Sequence, residues 1–254
     1  MPLHADWLVP DWQARGVGAV MTTRAGGVSA APFDGFNLRD GLGDAAECVA
    51  ANRATLAHAV GSVPVFLDQV HGAHVVRLTR ADALPGTPVH RGDASVTTEP
   101  GVACAVQVAD CLPVLFAAPD GRGVAAAHAG WRGLAGGVLE ATLQSLCSSA
   151  GCRPTDLQAW LGPCIGPLQF EVGPDVLDAF GSRAGEAALR HFVPSATGKW
   201  LADLPGLARS RLHAAGVQSV AGGAWCTVGD ASRFFSYRRD RVTGRMAAVV
   251  WISR

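Results

Sequence analysis

Three short motifs contain side chains that could bind a metal ion or attack a substrate. His71 lies in DQVHG, Cys111 in ADCLP and His128 in AAHAGWRG. Each lies beside an apolar, strand-like run, so all three can stand at loop ends around one cleft. Two imidazoles and one thiolate suit zinc, and three protein ligands with one open position are typical of catalytic zinc. The motifs therefore predict a catalytic metal site formed by His71, Cys111 and His128.

Cys111 also has a second chemical interpretation. A thiolate can be a metal ligand, or it can be a nucleophile whose charge is maintained by His128 or His71. The sequence leaves both roles open. Asp68 and Asp110 each lie next to a motif, where a carboxylate can orient a histidine or serve an ordinary turn. The sequence favours neither role for these two residues.

Arginines beside glycines or motif residues form the other informative group. Guanidinium groups bind phosphate or carboxylate through paired hydrogen bonds. These arginines are Arg24, Arg53, Arg132, Arg238, Arg239 and Arg245. The phosphate loop GxxxxGKS or GxxxxGKT and the dinucleotide motif GxGxxG are both absent from the sequence, which argues against a nucleotide triphosphatase or an NAD enzyme.

Strand-like segments alternate with helical patterns along the chain, which is typical of a mixed α/β fold. The predicted strands are 17–22, 64–70, 75–78, 94–97, 102–108, 114–118, 123–128, 157–161 and 247–252. The predicted helices are 44–60, 134–146, 174–180 and 201–215. Gly130 and Gly133 are predicted to form a tight turn before the second of these helices.

Composition limits the class of protein. A chain of 254 residues with 49% hydrophobic content can bury a large core, and we expect one domain over residues 1–254. A formal net charge of zero argues against a nucleic-acid partner. The apolar run 102–118 is interrupted by Gln107, Asp110 and Pro113, so it does not predict a membrane span. Because no signal-like segment is visible and the seven cysteines are scattered, we expect a cytoplasmic protein with reduced thiols.

A series of ordered motifs covers nearly the full length of the chain. They are TTRAGGVS, FNLRDGLGD, the pair Asn52–Arg53, DQVHG, DASVT, ADCLPVLF, AAHAGWRG, GPCIGPLQFEVG and FFSYRRDRVTGRMAAVVW. With these motifs the chain resembles the multicopper oxidase laccase-like family, also described as the purine nucleoside phosphorylase or peptidoglycan-editing-factor family. The number and order of the motifs are far beyond a chance match.

The resemblance implies a four-layer α/β/β/α fold with mixed β-sheets and a metal held by His71, Cys111 and His128. The implied metal is zinc, with copper as the alternative. The implied activity is phosphorolysis of adenosine, inosine and S-methyl-5′-thioadenosine together with deamination of adenosine, so the partners are a purine nucleoside and phosphate. We expect a monomer or a homodimer. The residues expected to contact substrate or phosphate are Arg24, Asn37, Arg53, Arg132 and Arg245.

Two other activities follow from the same resemblance. An editing amidase would remove L-serine from the cell-wall precursor UDP-MurNAc-L-Ser, with Cys111 as nucleophile and His128 as its base, or with zinc activating water. A copper-dependent polyphenol oxidase is the weaker alternative. A laccase needs several copper centres, and one site with two histidines and a cysteine cannot supply them.

Overall fold

Two large β-sheets occupy the centre of the fold. The computed structural model describes residues 2–184 and 186–253, and the side chains outside 182–187. The strands are β1 (Val17–Met21), β2 (Val63–Val65), β3 (Val75–Arg77), β4 (Ala94–Thr97), β5 (Val102–Val108), β6 (Leu112–Ala117), β7 (Val124–Ala129), β8 (Gln158–Leu161), β9 (Glu171–Val172), β10 (Phe192–Pro194), β11 (Trp200–Ala202), β12 (Ser219–Gly222) and β13 (Met246–Ile252). The helices are α1 (Ala46–Val60), α2 (Trp131–Gly136), α3 (Val138–Ala150), α4 (Pro174–Ala184), α5 (Glu186–Leu189), α6 (Leu204–Ala214) and α7 (Tyr237–Asp240).

Both large sheets are mixed. The first sheet has the strand order β1-β13-β5-β2, and only the pair β2–β5 is parallel. The second sheet has the order β12-β8-β6-β7-β4-β3, in which β12–β8 and β3–β4 are parallel and the other pairs antiparallel. A small antiparallel sheet, β10-β11-β9, is hydrogen-bonded separately from them and contributes to the hydrophobic cluster on the outer face of the second sheet. The mixed sheets expected from the family resemblance are therefore confirmed.

Three hydrophobic clusters show how the layers stack. One lies between the two large sheets and joins residues such as Val106 and Ala248 to Ala126 and Trp160. A second covers the outer face of the first sheet with Leu56 and other residues of α1 and the N-terminal loops. The third packs α3, α4 and α6 on the outer face of the second sheet. This order of layers, helix, sheet, sheet and helix, confirms the predicted four-layer fold.

The central strand β5 shows why its sequence is almost continuously apolar. Its alternate side chains Ala103 and Ala105 face the α1 side, whereas Cys104 and Val106 face the second sheet. Every residue of β5 is buried. A strand covered on both faces has no solvent side and therefore loses the alternation of polar and apolar residues.

Most predicted elements are present, with corrections at residues 64–70 and 130–137. The predicted strand 64–70 is only the three-residue strand β2, because the chain then leaves the sheet for the loop that carries His71. The predicted turn at Gly130 and Gly133 is also wrong. Helix α2 begins directly after Gly130, and the chain turns instead at Gly137, whose φ of 96° suits glycine.

The predicted helix 201–215 begins later than expected. Residues Trp200–Ala202 form β11, and Asp203 then caps α6 by accepting a hydrogen bond from the Gly206 N–H at 2.9 Å. Within the described residues, no helix combines the length and apolar character needed to cross a membrane. The assignment of residues 1–254 to one domain stays a prediction.

Burial of α3 against the second sheet gives a test of the fold. We expect Leu139→Ala to lower the free energy of unfolding by about 2–5 kcal/mol, because it leaves a cavity under the helix. Leu139 is 1% exposed, whereas Leu168 is 80% exposed. The matched change Leu168→Ala should therefore stay within about 0.5 kcal/mol of the parent protein. Urea unfolding followed by circular dichroism measures both, and equal losses would contradict the layer assignment.

Candidate metal centre and active site

Three potential ligand side chains converge in the structure. The ligand atoms of His71, Cys111 and His128 all lie within 4.8 Å of one another. The Cys111 Sγ is 3.8 Å from the His71 Nε2. The two imidazole rings meet edge to face, with centroids 4.8 Å apart. His71 is exposed, Cys111 partly buried and His128 buried, so the group runs from solvent into the protein.

Strand pairing brings Cys111 and His128 together. Cys111 directly precedes β6, and His128 lies near the end of β7, the antiparallel neighbour in which Pro113 pairs with His128. His71 arrives from the loop between β2 and β3 with a φ of 62°. Non-glycine residues rarely adopt this left-handed conformation, and such residues cluster at functional sites.

A buried carboxylate, Asp93, holds two of the three residues, His128 by its ring and His71 by its backbone N–H. Its Oδ1 accepts a hydrogen bond from the His128 Nδ1 at 2.8 Å and another from the His71 N–H at 2.8 Å. Its Oδ2 accepts from the Gly72 N–H at 2.7 Å and from the Val70 N–H at 3.2 Å. The Nδ1–H of His128 is thereby committed to Asp93, which leaves Nε2 free for a ligand.

The carboxylate that orients His128 is therefore Asp93, a residue that the sequence analysis did not single out. Asp93 is the first residue of the DASVT motif and directly precedes β4. Asp110 instead accepts from the Thr227 Oγ1 and from the Arg238 N–H, both at 2.6 Å. Asp68 is exposed. Neither Asp68 nor Asp110 shows a hydrogen bond to a histidine of the group in the described residues.

The three groups shift one another's ionisation. Burial opposes ionisation of the Cys111 thiol, but the charge and hydrogen bonds of His128 and His71 outweigh it and lower the pKa to about 6. Burial also opposes protonation of His128, yet the charge of Cys111 and the hydrogen bond to Asp93 raise its pKa to about 9. The pKa of Asp93 is lowered despite burial because His128 and the Gly72 N–H stabilise the carboxylate. Without a metal, this geometry favours a thiolate beside an imidazolium.

Glycine at position 130 makes room for this convergence. A Cβ there would lie 2.9 Å from the Cys111 Sγ and 3.0 Å from the His71 Cδ2. At Gly133, one turn into α2, a Cβ would lie 2.8 Å from the carbonyl oxygen of Gly72. The two glycines of the AGWRG motif therefore let α2 pack directly against the ligand group and the His71 loop.

Two adjoining cavities, of about 310 and 390 Å³, open on either side of the ligand group. Both are lined by His71, Ala109, Cys111 and Tyr237. The first, called the aromatic cavity below, is also lined by Asp110, Trp131, Arg132, Ile165, Phe170, Leu204, Arg238 and Arg241. The second, called the polar cavity, is also lined by Arg39, Leu42, Gln69, Gln107, Val108, His128 and Arg245.

Two of the predicted substrate-contacting residues line these cavities, and a third acts behind one of them. Arg132 lines the aromatic cavity and Arg245 the polar cavity. Asn37 is fully buried, and its Oδ1 accepts the Arg245 N–H at 2.9 Å. Asn37 also donates to Asp44 at 2.8 Å, so it supports the backbone that presents Arg245.

The other two predicted residues make local contacts outside the cavity linings. Arg24 donates to Asp34 at 2.7 Å and to the carbonyl oxygen of Ala231 at 2.9 Å. Arg53 donates to the carbonyl oxygen of Leu38 at 2.8 Å and pairs with a carboxylate nearby. Their assignment as substrate contacts stays a prediction.

Sequence reasoning passed over several residues of the cavity walls, among them Arg39 and Tyr237. Arg39 lies in FNLRDGLGD and Tyr237 in FFSYRRD, both of which belong to the motif series. The motifs therefore marked these segments, but nothing in the sequence around Arg39 distinguishes it from the other arginines of the motif series. Its position beside Arg245 arises from packing between distant segments.

Comparison with known proteins supports the family that the sequence motifs indicated. The family model described as multi-copper polyphenol oxidoreductase laccase matches residues 18–253. The chain is 51% identical over 248 residues to purine nucleoside phosphorylase PA4543 of Pseudomonas aeruginosa, covering 97% of this chain and 98% of that protein. It is 47% identical over 253 residues to purine nucleoside phosphorylase YfiH of Escherichia coli strain K12, covering 96% and 98%.

Solved structures show the same fold. Protein NMB0706 of Neisseria meningitidis superposes with a TM-score of 0.91 at 46% identity, over 98% of this chain and 100% of that chain. YlmD of Geobacillus stearothermophilus gives a TM-score of 0.88 at 34% identity, over 94% and 93%. The chain therefore belongs to the multi-copper polyphenol oxidoreductase laccase family, as its motifs predicted, and is similar throughout to proteins named purine nucleoside phosphorylases.

Proposed function

We propose that this protein is a zinc-dependent purine nucleoside phosphorylase that uses adenosine, inosine and S-methyl-5′-thioadenosine and also deaminates adenosine. The observation that carries the proposal is the position of the ligand group at the boundary of two cavities. A phosphorylase must bring two substrates to one bond. The rings of the aromatic cavity suit a purine, and Arg39 and Arg245 of the polar cavity suit inorganic phosphate. The names of the relatives support the same activity.

The donor set fits zinc. In a tetrahedral site with ordinary zinc bond lengths, a sulfur and a nitrogen ligand lie about 3.5 Å apart. The Cys111 Sγ and His71 Nε2 are 3.8 Å apart, so little movement is needed. His71, Cys111 and the Nε2 of His128 would hold the ion, and the exposed side of His71 leaves an open position. When bound, zinc supplies a Lewis acid at that position. Copper is the alternative metal, since imidazole and thiolate ligands also suit it.

The arginines of the polar cavity are the proposed phosphate ligands. Arg245 is held from behind by two carbonyl oxygens, those of Thr243 at 2.8 Å and Gly244 at 3.0 Å. Arg39 lines the same wall. In phosphorolysis an oxygen of phosphate bonds to ribose C1′, the bond from C1′ to the purine nitrogen breaks, and the leaving nitrogen takes up a proton. Two positioned guanidinium groups would orient the phosphate for that attack.

The aromatic cavity is the proposed site of the purine. Trp131, Phe170 and Tyr237 offer ring surfaces, and Ile165 and Leu204 close the apolar wall. Planar bases stack on such rings, with gains of about 1–3 kcal/mol per base in nucleic-acid complexes. Since Tyr237 lines both cavities, it stands between the proposed purine and phosphate positions.

A second candidate, the amide hydrolase, is favoured by one specific observation. Cys111, His128 and Asp93 are aligned as nucleophile, base and orienting carboxylate, with the 2.8 Å hydrogen bond from His128 to Asp93. On this alternative, the Cys111 thiolate bonds to the amide carbonyl carbon of UDP-MurNAc-L-Ser, the C–N bond breaks, and L-serine leaves with a proton from the His128 imidazolium. Water then hydrolyses the thioester and restores the thiol. A polyphenol oxidase is less well supported, since the described residues contain one such three-ligand group and a laccase needs several copper centres.

The first test is product analysis of adenosine. With zinc-loaded protein and phosphate we expect adenine and ribose 1-phosphate, and without phosphate we expect inosine, measured by chromatography and mass spectrometry. His128→Ala, purified in parallel, should lose both activities by more than about 100-fold because a ligand is removed. If folded, zinc-loaded protein turns over no nucleoside, the phosphorylase is wrong and amide hydrolysis becomes the leading assignment.

A second test uses the space at Gly130. Gly130→Ala should weaken zinc binding by about 10–100-fold, the range seen when support around a metal ligand is disturbed. The new Cβ would press on the Cys111 Sγ from 2.9 Å. Gly136→Ala is the matched control, since a Cβ there meets nothing within 4 Å. Competition with a chromogenic chelator measures both affinities. Equal affinities in the two variants would show that the ligand group does not bind the metal.

A third test separates ligand from nucleophile. In metal-free protein, the alkylation rate of Cys111 by iodoacetamide should reach half its maximum near pH 6, because its pKa is lowered to about 6. Burial raises the pKa of Cys104 to about 12, so Cys104 serves as an unreactive internal control. Peptide mass spectrometry follows each thiol. Stoichiometric zinc should suppress alkylation of Cys111. Unchanged alkylation in the presence of zinc would favour the free nucleophile.

A further inference from the structure

The walls of the two cavities concentrate unpaired positive charge. Three arginines line the aromatic cavity and two line the polar cavity. No carboxylate of a described residue lies within the 4.0 Å ion-pair distance of any of them. The arginines that do form ion pairs in the described chain lie outside these walls: Arg24, Arg53, Arg153, Arg211 and Arg239. The chain as a whole has a formal net charge of zero, so the charge at the site is local.

The acidic groups near the site offset only part of this charge. Asp110 is the one carboxylate among the described lining residues. Both of its oxygens are engaged by neutral donors, the Thr227 hydroxyl and the Arg238 N–H, at 2.6 Å each. Its carboxylate offsets one of the five arginine charges and, within the described residues, makes no hydrogen bond to their guanidinium groups, whose remaining donors stay available to a ligand.

One inorganic phosphate balances only part of this charge. A phosphate group carries roughly −1.5 to −2 near pH 7. The two arginines of the polar cavity, Arg39 and Arg245, suffice to bind one such group. The three arginines of the aromatic cavity are then balanced only by the single charge of Asp110, beside the position proposed for the purine. A cleft lined by one sign of charge attracts ligands of the opposite sign.

The three arginines of the aromatic cavity are arranged along its rings. The Arg132 guanidinium carbon lies 4.3 Å from the Trp131 ring centroid. The Arg241 carbon lies 5.8 Å from the Tyr237 centroid. Arg238 lies over a third ring of the same wall and also donates to two carbonyl oxygens, which fix its side chain. A guanidinium that contacts a ring through its face keeps N–H donors at its edge, where they can bind phosphate.

We propose that the purine substrate carries a phosphate of its own, as in a purine nucleoside monophosphate, and that Arg132, Arg238 and Arg241 bind this phosphate at the aromatic cavity. The proposal rests on the proposed function and names its substrate class. The neutral nucleosides are then the poorer substrates of the same site. With inosine 5′-monophosphate, an oxygen of inorganic phosphate bonds to C1′ and the bond from C1′ to the purine breaks. The products are ribose 1,5-bisphosphate and hypoxanthine, which takes up a proton at the ring nitrogen released from C1′.

The test compares inosine with inosine 5′-monophosphate on zinc-loaded protein. Neither has an amino group to lose, so deamination does not interfere. At low ionic strength and saturating phosphate, kcat/KM for the monophosphate should exceed that for inosine by at least about tenfold, as expected for an added charged hydrogen bond. This ratio should fall with added salt, because screening shortens from about 10 Å at 0.1 M to about 3 Å at 1 M. Calorimetric titration without inorganic phosphate should show the same preference as an affinity.

Variants assign the preference to the arginines. Arg241→Ala should reduce the ratio of kcat/KM values about tenfold. Arg15→Ala should leave both kcat/KM values unchanged. Arg15 is exposed and lies just before β1. The first residue of β1 pairs with Ile252, the last residue of β13, whereas Arg245 lies just before the first residue of β13. Circular dichroism of each variant excludes a change in fold.

The outcomes separate this proposal from the proposed function. Equal kcat/KM values and equal affinities for the two compounds overturn the proposal while the phosphorylase stands. A rise in the KM for inorganic phosphate in Arg241→Ala, with the ratio unchanged, assigns these arginines to inorganic phosphate and also overturns it. Tight binding of the monophosphate that Arg241→Ala weakens, with no hypoxanthine from either compound, supports the anionic site and overturns the phosphorylase.

Discussion

The buried carboxylate of Asp93 is the contact on which the rest of the site depends. A carboxylate taken out of water costs several kcal/mol unless it is paired and hydrogen-bonded. Here Asp93 accepts from three consecutive backbone N–H groups, those of residues 70–72, and from the His128 ring. Because the same oxygen atom holds the His71 N–H and the His128 Nδ1, the loop and the strand cannot shift independently. One side chain thus fixes the distance between two of the three ligands.

The second sheet supplies the frame for this contact. The backbone carbonyl of Asp93 accepts the His128 N–H at 2.7 Å, so strand pairing and side-chain pairing act on the same two residues. Cys111 is placed by the neighbouring pair β6–β7. The C-terminal segment is tied to this frame through Asp110, which accepts the Arg238 N–H. Both cavities therefore have walls built from segments that are distant in sequence and joined by buried hydrogen bonds.

This arrangement explains how much could be predicted from the sequence. The three candidate ligands, which the structure brings together, could be identified because each lies in a local motif beside a strand, where side chains gather in an α/β fold. Asp93 and Arg39 were missed because their partners lie in other elements, and only strand pairing and packing bring them together. Arg24 and Arg53 have the same local signal as Arg245, but local carboxylates and carbonyl oxygens take up their donors. The predicted boundaries of elements were wrong where tertiary contacts determine them, as at β11 before α6.

The same hydrogen bond serves both chemistries proposed for the site. Donation from the His128 Nδ1 to Asp93 leaves Nε2 either to bind a metal or to hold the proton taken from Cys111. The two roles exclude each other, because a metal would occupy the sulfur and nitrogen electron pairs that amide attack requires. Metal binding must also displace a proton from His128, whose pKa is raised to about 9, whereas the Cys111 thiol is already ionised above about pH 6. Between these values the metal exchanges for one proton, so occupancy rises with pH and the free thiolate–imidazolium pair is favoured when metal is scarce. The available metal thus determines which of the two chemistries the geometry supports.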